Sequence, residues 1–212
     1  FDAEGTGWAD VASLCRELFS RHDAGSVAGV GVSAMGPSLV VTDEDLVPPR
    51  PAILYGIDSR AGAEIQELTE EFGADTIFAE SGKVLSSQAV GPKIRWLRNH
   101  EPEVFSRARH WHSLNSYILA RLSGEFVLDH HTASQCDPLY DLRRSQWHPD
   151  RYDAVAGHLP RPALAWPAEV AGRAHQAPAE ATGLPAGVPV CAGTVDAWAE
   201  AFSAGVRHPG DL

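Results

Sequence analysis

The chain has 212 residues, of which 44% are hydrophobic and 21% charged, and its formal net charge is −11. This length is enough for one packed core or for two small ones. The net charge is negative and the sequence has no basic cluster. We therefore do not expect the protein to bind nucleic acid or anionic membrane surfaces.

The three cysteines, Cys15, Cys136 and Cys191, are odd in number and far apart in the sequence. This pattern favours reduced thiols over a disulfide framework and predicts a cytoplasmic location. No apolar stretch reaches transmembrane length, and no secretory signal opens the chain. Since the first residue is Phe1 rather than Met, we expect a piece of a longer protein, truncated at both ends.

The first third of the chain predicts an alternation of helices and strands. Apolar residues recur at helical spacing before residue 20 and again after residue 61, whereas short apolar runs between them indicate strands. The predicted helices are 8–20 and 61–72, the second ended by Gly73, and the predicted strands are 27–33, 38–42 and 52–55.

From about Glu80 the pattern becomes mainly helical. Helices are predicted at 93–99, 102–108 and 114–122, the last ended by Gly124, and another begins near Asp150. The stretch 129–150 is polar and is predicted to be irregular. A strand is expected again at 188–192. The whole therefore predicts one α/β domain, residues 1–212, with a helical insertion at about 80–160.

Asp196 follows this last strand, after the small residues Gly193 and Thr194, and precedes an alanine-rich helix predicted from Ala197 to near Gly205. A carboxylate at that position lies beside free backbone N–H groups and the positive end of the helix dipole. Two roles remain open from the residues alone. Asp196 is either a helix cap, the commoner role of such an aspartate, or a catalytic base held in a cleft.

Other segments contain candidate binding residues. Tyr55 follows a buried strand and could stack on a ligand, while Asp58 and Arg60 could form the walls of a polyol pocket. Their structural alternatives are a helix cap for Asp58 and a surface ion pair for Arg60. Gln88 precedes a predicted helix and could reach a substrate hydroxyl.

The segment 128–137 contains an aspartate, two histidines and a cysteine, a composition that invites a metal site. Adjacent residues such as His130 and His131 would point to opposite faces of a strand, and no paired ligand motif accompanies them. We therefore predict no metal ligands in this chain. The Gly-x-Ser-x-Gly elbow of hydrolases and the Walker phosphate loop are also missing from the sequence.

Five segments occur in a set order. They read Gly-Val-Ser-Ala-Met-Gly at 31–36, Arg-Pro-Ala-Ile-Leu-Tyr-Gly-Ile-Asp-Ser-Arg-Ala at 50–61, Pro-Lys-Ile-Arg-Trp-Leu-Arg-Asn-His-Glu-Pro-Glu at 92–103, Tyr-Ile-Leu-Ala-Arg-Leu-Ser-Gly-Glu at 117–125, and Thr-Gly-Leu-Pro-Ala-Gly-Val-Pro-Val at 182–190. Taken in this order, they resemble motifs of the FGGY family of carbohydrate kinases. The last segment leads into the family's Ala-Gly-x-x-Asp turn. Each motif is modest alone, but their common order makes the resemblance specific.

The resemblance implies a ribonuclease H-like fold of the actin and hexokinase type, with a mixed sheet. The chain would be an incomplete first, sugar-binding domain of a two-domain kinase. The family's catalytic aspartate falls on Asp196, and its sugar-contacting pair falls on Met35 and Gly36. ATP and Mg²⁺ are expected to bind mainly through parts of the family outside this chain, and a homodimer is implied by the resemblance alone.

Three residues differ from the family's pattern. Gly36 stands where the family has His, which is expected to leave room for a bulkier acceptor. Ala197 stands where Asn or Gln is common, and Tyr55 replaces a Trp. A sugar, polyol or sugar acid remains the expected acceptor.

The leading hypothesis is an ATP-dependent carbohydrate kinase with Asp196 as general base, of which these residues alone are not expected to turn over ATP. The alternative is a non-catalytic sugar-binding or assembly module with the same fold. An actin-like structural ATPase is a weaker third hypothesis, because such a protein needs neither the Asp58 and Arg60 pair nor the helical insertion.

Overall fold

A computed structural model of the chain describes residues 1–208, 210 and 211. After an N-terminal π-helical segment, Ala3–Trp8, it contains α-helices and short β-strands. The helices are α1 Ala9–Phe19, α2 Gly62–Phe72, α3 Ala74–Ser81, α4 Val90–His100, α5 Pro102–Arg107, α6 Leu114–Ser123, α7 His130–Ala133, α8 Pro149–Ala156, α9 Gln176–Thr182 and α10 Asp196–Ser203. The strands are β1 Ser33–Ala34, β2 Val40–Thr42, β3 His110–His112, β4 Val127–Asp129, β5 Tyr140–Asp141, β6 Gln146–Trp147, β7 Ala163–Ala165, β8 Val170–Arg173, β9 Pro189–Cys191 and β10 Thr194–Val195.

The strands pair in both directions, which confirms a mixed α/β fold. β1 pairs with β10 and β4 with β7 in parallel, whereas β2–β3, β5–β6 and β8–β9 are antiparallel. Parallel pairs need a crossover connection. The crossover from β1 to β10 spans most of the chain, so it brings a turn near residue 35 next to one near residue 196.

Two hydrophobic clusters lie on opposite faces of the strands. Successive residues of a strand point to opposite faces. Val41 and Leu128 belong to one cluster, which receives helices α2, α4 and α8, while their neighbours Val40 and Val127 belong to the other, which receives α6. The strands β2 and β4 therefore form a layer between two groups of helices, as expected for an α/β domain.

Several predicted strands are shorter than the apolar runs suggested. In place of a strand at 27–33, pairing is confined to Val30 and to β1, and the strand predicted at 52–55 is reduced to a single bridge between Ile53 and Leu39. The prolines at 48, 49 and 51 explain the latter, because proline cannot donate to a ladder.

The segment 80–160 is mixed rather than purely helical. It contains helices α4 to α8 but also β3, β4 and the β5–β6 hairpin. The prediction that 129–150 is irregular was wrong, because the stretch forms α7 and the β5–β6 hairpin and buries three of its carboxylates, Asp129, Asp137 and Asp141. His130 and His131 lie on the helical turn α7 and not on a strand.

The predicted ends of the long helices are largely confirmed. Gly73 follows α2 with φ of 81°, and Gly124 follows α6 with φ of 75°, backbone conformations that favour glycine. α10 begins at Asp196 and ends at Ser203, two residues before the predicted Gly205. None of the helices in the described part of the chain is long and apolar enough to cross a membrane.

Candidate active site

A cavity of about 410 Å³ opens where β1 and β10 end and α10 begins. Because β1 and β10 are parallel, their carboxyl ends meet at one edge, where α/β proteins commonly bind ligands. The cavity is lined by residues from five separate parts of the chain: Gly36, Pro37, Tyr55, Gln88, Gln135, Val195, Asp196, Ala197, Trp198 and Glu200.

Asp196 is the first residue of α10, which begins one residue before the predicted start at Ala197. Its Oδ1 accepts a hydrogen bond of 2.9 Å from the Ala197 amide, the one hydrogen bond that its carboxylate makes within the described residues. The side chain is half-buried and lines the cavity. The helix-cap role was wrong, because the N-cap residue of α10 is Val195 and, among the described residues, Asp196 accepts only from the amide next to it. Its carboxylate lines the cavity.

The backbone before Asp196 is held by a close approach at Gly193. Gly193 has φ of 67°, and a Cβ there would lie 2.2 Å from the carbonyl oxygen of Val32. Its amide donates to the Pro167 carbonyl at 3.1 Å, and the next amide, of Thr194, donates to the Val32 carbonyl at 3.0 Å. Both the φ angle and the space therefore require glycine at this turn.

The Thr194 side chain is bound to a fully buried carboxylate. Thr194 Oγ1 donates to Asp129 Oδ1 at 2.8 Å, and Asn115 Nδ2 donates to Asp129 Oδ2 at 3.1 Å. The amide and hydroxyl of Thr132 donate to the same carboxylate. Asp129 is 0% exposed, and a charged acceptor with this many donors makes strong hydrogen bonds. The carboxyl end of β4 is therefore fixed to the turn that carries Asp196.

Gly36 lies beside Val195, and the expectation that it leaves room for a larger acceptor was wrong. A Cβ at position 36 would be 2.3 Å from Val195 Cγ1 and 3.3 Å from Ser113 Oγ. The volume that a longer residue would take is thus already filled by protein atoms. Sequence alone does not show this, because positions 36 and 195 are far apart in the chain.

Tyr55 and Gln88 form another wall of the cavity. Gln88 Oε1 accepts from the Gly56 amide at 3.3 Å, and Ser87 Oγ donates to the Gly56 carbonyl at 2.9 Å. The turn after Tyr55 is therefore tied to the loop that carries Gln88.

The loop that carries Gln88 is held by the side chain of Lys93, which is only 1% exposed. Lys93 Nζ donates to the carbonyls of Ser87 at 2.5 Å and Ala89 at 3.1 Å. Burial lowers the pKa of Lys93 to about 8, although the nearby Asp58 carboxylate acts in the opposite direction.

Three predicted binding residues lie elsewhere. Asp58 and Arg60 line a neighbouring open pocket, where Arg60 Nε donates to Asp58 Oδ1 at 2.8 Å and the guanidinium lies 4.7 Å from the Trp96 ring centroid. Asp58 does not cap α2, whose N-cap residue is Ala61. Met35 is partly buried against the cluster that contains α6.

Several cavity residues were missed from the sequence, among them Gln135, Trp198 and Glu200. Trp198 and Glu200 lie on α10, and Glu200, one helical turn after Asp196, could have been found from its i, i+4 spacing. Gln135 had no such signal, because long-range contacts place it. Lys83 Nζ donates to Gln135 Oε1 at 2.9 Å and pairs with the buried Asp137 carboxylate at 3.0 Å.

Within residues 1–208, 210 and 211, no group of three or more His, Cys, Asp or Glu side chains could hold a metal ion. His130 Nδ1 instead forms a 2.7 Å hydrogen bond with Tyr140 Oη, and its ring packs 4.5 Å from that of Trp166.

Comparisons with known proteins place most of the chain in one family. The N-terminal domain of the FGGY family of carbohydrate kinases matches residues 5–203. L-fuculokinase of Escherichia coli (strain K12) is 28% identical over 204 residues, covering 93% of this chain and 42% of that protein. The crystal structure of xylulose kinase from Rhodospirillum rubrum superposes with a TM-score of 0.83 at 32% identity, covering 96% of this chain and 42% of the other.

A glycerol kinase of Janthinobacterium sp. (strain Marseille) is 26% identical over 212 residues, covering 96% of this chain and 41% of that protein. The chain belongs to the FGGY family of carbohydrate kinases and corresponds to its N-terminal domain. It spans about 42% of the length of the fuculokinase that it matches.

Proposed function

We propose that the protein is an ATP-dependent carbohydrate kinase in which Asp196 is the general base. The observation that supports this most directly is the half-buried Asp196 carboxylate, held at the start of α10 on the wall of a cavity. A non-catalytic binding module would need the cavity but would have no use for a carboxylate base on its wall.

In the proposed reaction, the Asp196 carboxylate accepts the proton of an acceptor hydroxyl while that oxygen attacks the γ-phosphorus of ATP. The bond between the γ-phosphorus and the β,γ-bridging oxygen breaks, and ADP leaves. Phosphoryl transfer has a loose transition state, so the alignment of the attacking oxygen matters as much as basicity. A carboxylate fixed by a helix-terminal amide suits that task because little reorganisation is needed.

The acceptor is proposed to be a sugar, polyol or sugar acid that binds between Gly36, Tyr55, Gln88 and Asp196. Met35, Asp58 and Arg60 would support this region from outside the cavity. Since the described lining includes the carboxylates of Asp196 and Glu200 and no Lys, Arg or His side chain, neutral polyols and sugars fit it better than sugar acids do.

ATP supplies the transferred phosphoryl group, and its Mg²⁺ neutralises charge on the phosphates. Mg²⁺ commonly uses one or two protein carboxylates together with phosphates and waters. The described residues offer no complete protein cage for Mg²⁺, and the Asp196 carboxylate is assigned to the acceptor hydroxyl. The remaining nucleotide contacts would come from the parts of an FGGY kinase that this chain does not span, and residues 1–212 would act as the sugar-binding domain.

The test is Asp196→Asn and Asp196→Ala in the intact protein that carries this chain, with ADP release measured against panels of ketoses, polyols and sugar acids. Loss of general-base catalysis typically costs about 10²–10⁴-fold in rate. We expect kcat to fall by that order in both variants, with little change in Tm. Asp150→Asn, which alters an exposed carboxylate in the first turn of α8, is the control.

Near-normal kcat in Asp196→Asn would refute the general-base role. If the wild-type protein is stabilised by sugars but releases no ADP with any acceptor, the kinase assignment itself fails.

A further inference from the structure

Gly36 and Val195 are in contact across two turns that carry different parts of the proposed site. Parallel pairing of β1 with β10 places Ala34 opposite Val195, so the next turn passes directly over the Val195 side chain. A Cβ added to Gly36 would lie 2.3 Å from Val195 Cγ1 and 3.2 Å from its Cβ. The two residues are therefore complementary in size.

Building on the proposed function, we propose that Val195 is a positioning residue for Asp196 and that Gly36 is required because it accommodates Val195. The methyl group of Val195 rests on the backbone of the 35–37 turn and so sets the distance between that turn and the first residue of α10. The two sides of the acceptor site are held in register by this contact.

Hydrogen bonds and burial hold both sides of the contact in place. Ser38 fixes the end of the 35–37 turn, since its hydroxyl oxygen accepts from the Leu114 amide at 3.1 Å. On the other side, Val195 is 2% exposed and follows Thr194, which is bound to the buried Asp129. A displacement of Val195 is therefore passed forward along the chain to Asp196.

The size of that displacement can be read from the geometry. Ordinary van der Waals contact begins at 3.4 Å, so relief of a 2.3 Å approach requires a movement of about 1 Å. A misplacement of about 1 Å at a reacting group can cost up to about 10²-fold in rate.

The experiment compares Gly36→Ala, Val195→Ala and the double variant in the intact protein. We expect Gly36→Ala to lower kcat by about 10- to 100-fold, with a smaller change in the KM for sugar. Val195→Ala removes Cγ1, so the double variant should recover kcat to within about threefold of Val195→Ala alone. Gly31→Ala is the matched control, because a Cβ at Gly31 would have nothing within 4 Å.

Several outcomes would overturn the inference. One is a Gly36→Ala variant with normal kcat, whatever its Tm, because a purely structural contact would change stability alone. Another is a double variant no more active than Gly36→Ala. If Gly36→Ala does not fold, the double variant must still fold and turn over, and its failure would also refute the coupling.

The Asp196→Asn variant, measured beside them, separates this inference from the proposed function. If the double variant does not recover activity while Asp196→Asn is inactive, only the role of Val195 is refuted. Normal activity in Asp196→Asn refutes the general-base mechanism itself.

Discussion

At the scale of single residues, the Asp129 carboxylate links three elements to the proposed active site. Its oxygens accept from Asn115 on α6, from Thr132 on α7 and from Thr194 on β10. A buried carboxylate is tolerated only when its charge is met by donors. Loss of one donor therefore affects both the stability of the fold and the position of the turn before Asp196.

Thr194 allows that contribution to be measured. Thr194→Val keeps the shape of the side chain but leaves Asp129 without one donor, so we expect the free energy of unfolding to fall by about 1.5–3 kcal/mol. Thr194→Ser keeps the hydroxyl and should lose much less. Urea unfolding of the two variants tests this, and a loss in Thr194→Val no larger than that in Thr194→Ser would contradict the assigned role of the hydrogen bond.

Local sequence patterns predicted part of the site, and some of the residues that they missed are placed by long-range contacts. Asp196 was found because a strand, a glycine turn and a helix are all local patterns. The misreading of Gly36 as empty space arose because Val195 fills that volume from 159 positions further along the chain. Gln135 was missed for a similar reason, since Lys83 and Asp137 hold it in place.

At the scale of elements, the start of α4 is joined to the cavity through Lys93. Its ammonium group donates to carbonyls of the Ser87–Ala89 loop, and the residue is only 1% exposed. Burial therefore disfavours its charged form, and this lowers the pKa from 10.5 to about 8.

This shift predicts a pH dependence of stability. Between about pH 8 and pH 10.5, the unfolded chain holds the Lys93 proton more tightly than the folded chain does, so stability from this residue rises with pH. Compared with Lys93→Met, the wild-type free energy of unfolding should gain about 3 kcal/mol between pH 7 and pH 10.5. Parallel denaturant titrations at both pH values measure the difference, and a constant difference would contradict the shift.

Elements were easiest to predict where their signals were local. The helices α2, α4, α5 and α6 were recognised from their sequence patterns, and the ends of α2 and α6 also from the glycines that follow them. The strands were overestimated because they are only two to four residues long in the described structure, so most of each apolar run lies in turns that tertiary contacts bury.

At the scale of the whole molecule, the domain is built as two clusters of apolar side chains that share strands. Val40 and Val41 are neighbours on β2 but point into different clusters, and Val127 and Leu128 do the same on β4. Neither cluster can lose its packing without disturbing strands that the other needs. The amino-acid sequence predicted the fold class, but which cluster each residue joins depends on the register of the strands.

This shared layer predicts that the two clusters unfold together. Truncating a buried valine or leucine typically costs about 1–5 kcal/mol, so Val40→Ala and Leu128→Ala should each move the urea midpoint. Because their clusters are coupled, each variant should show one transition, with the midpoint from far-UV circular dichroism equal to that from tryptophan fluorescence. Trp111 in one cluster and Trp8 in the other make the fluorescence sensitive to both. A Val40→Ala variant whose two probes separate would show that the cluster around α6 unfolds on its own, and that β2 does not transmit packing across the layer.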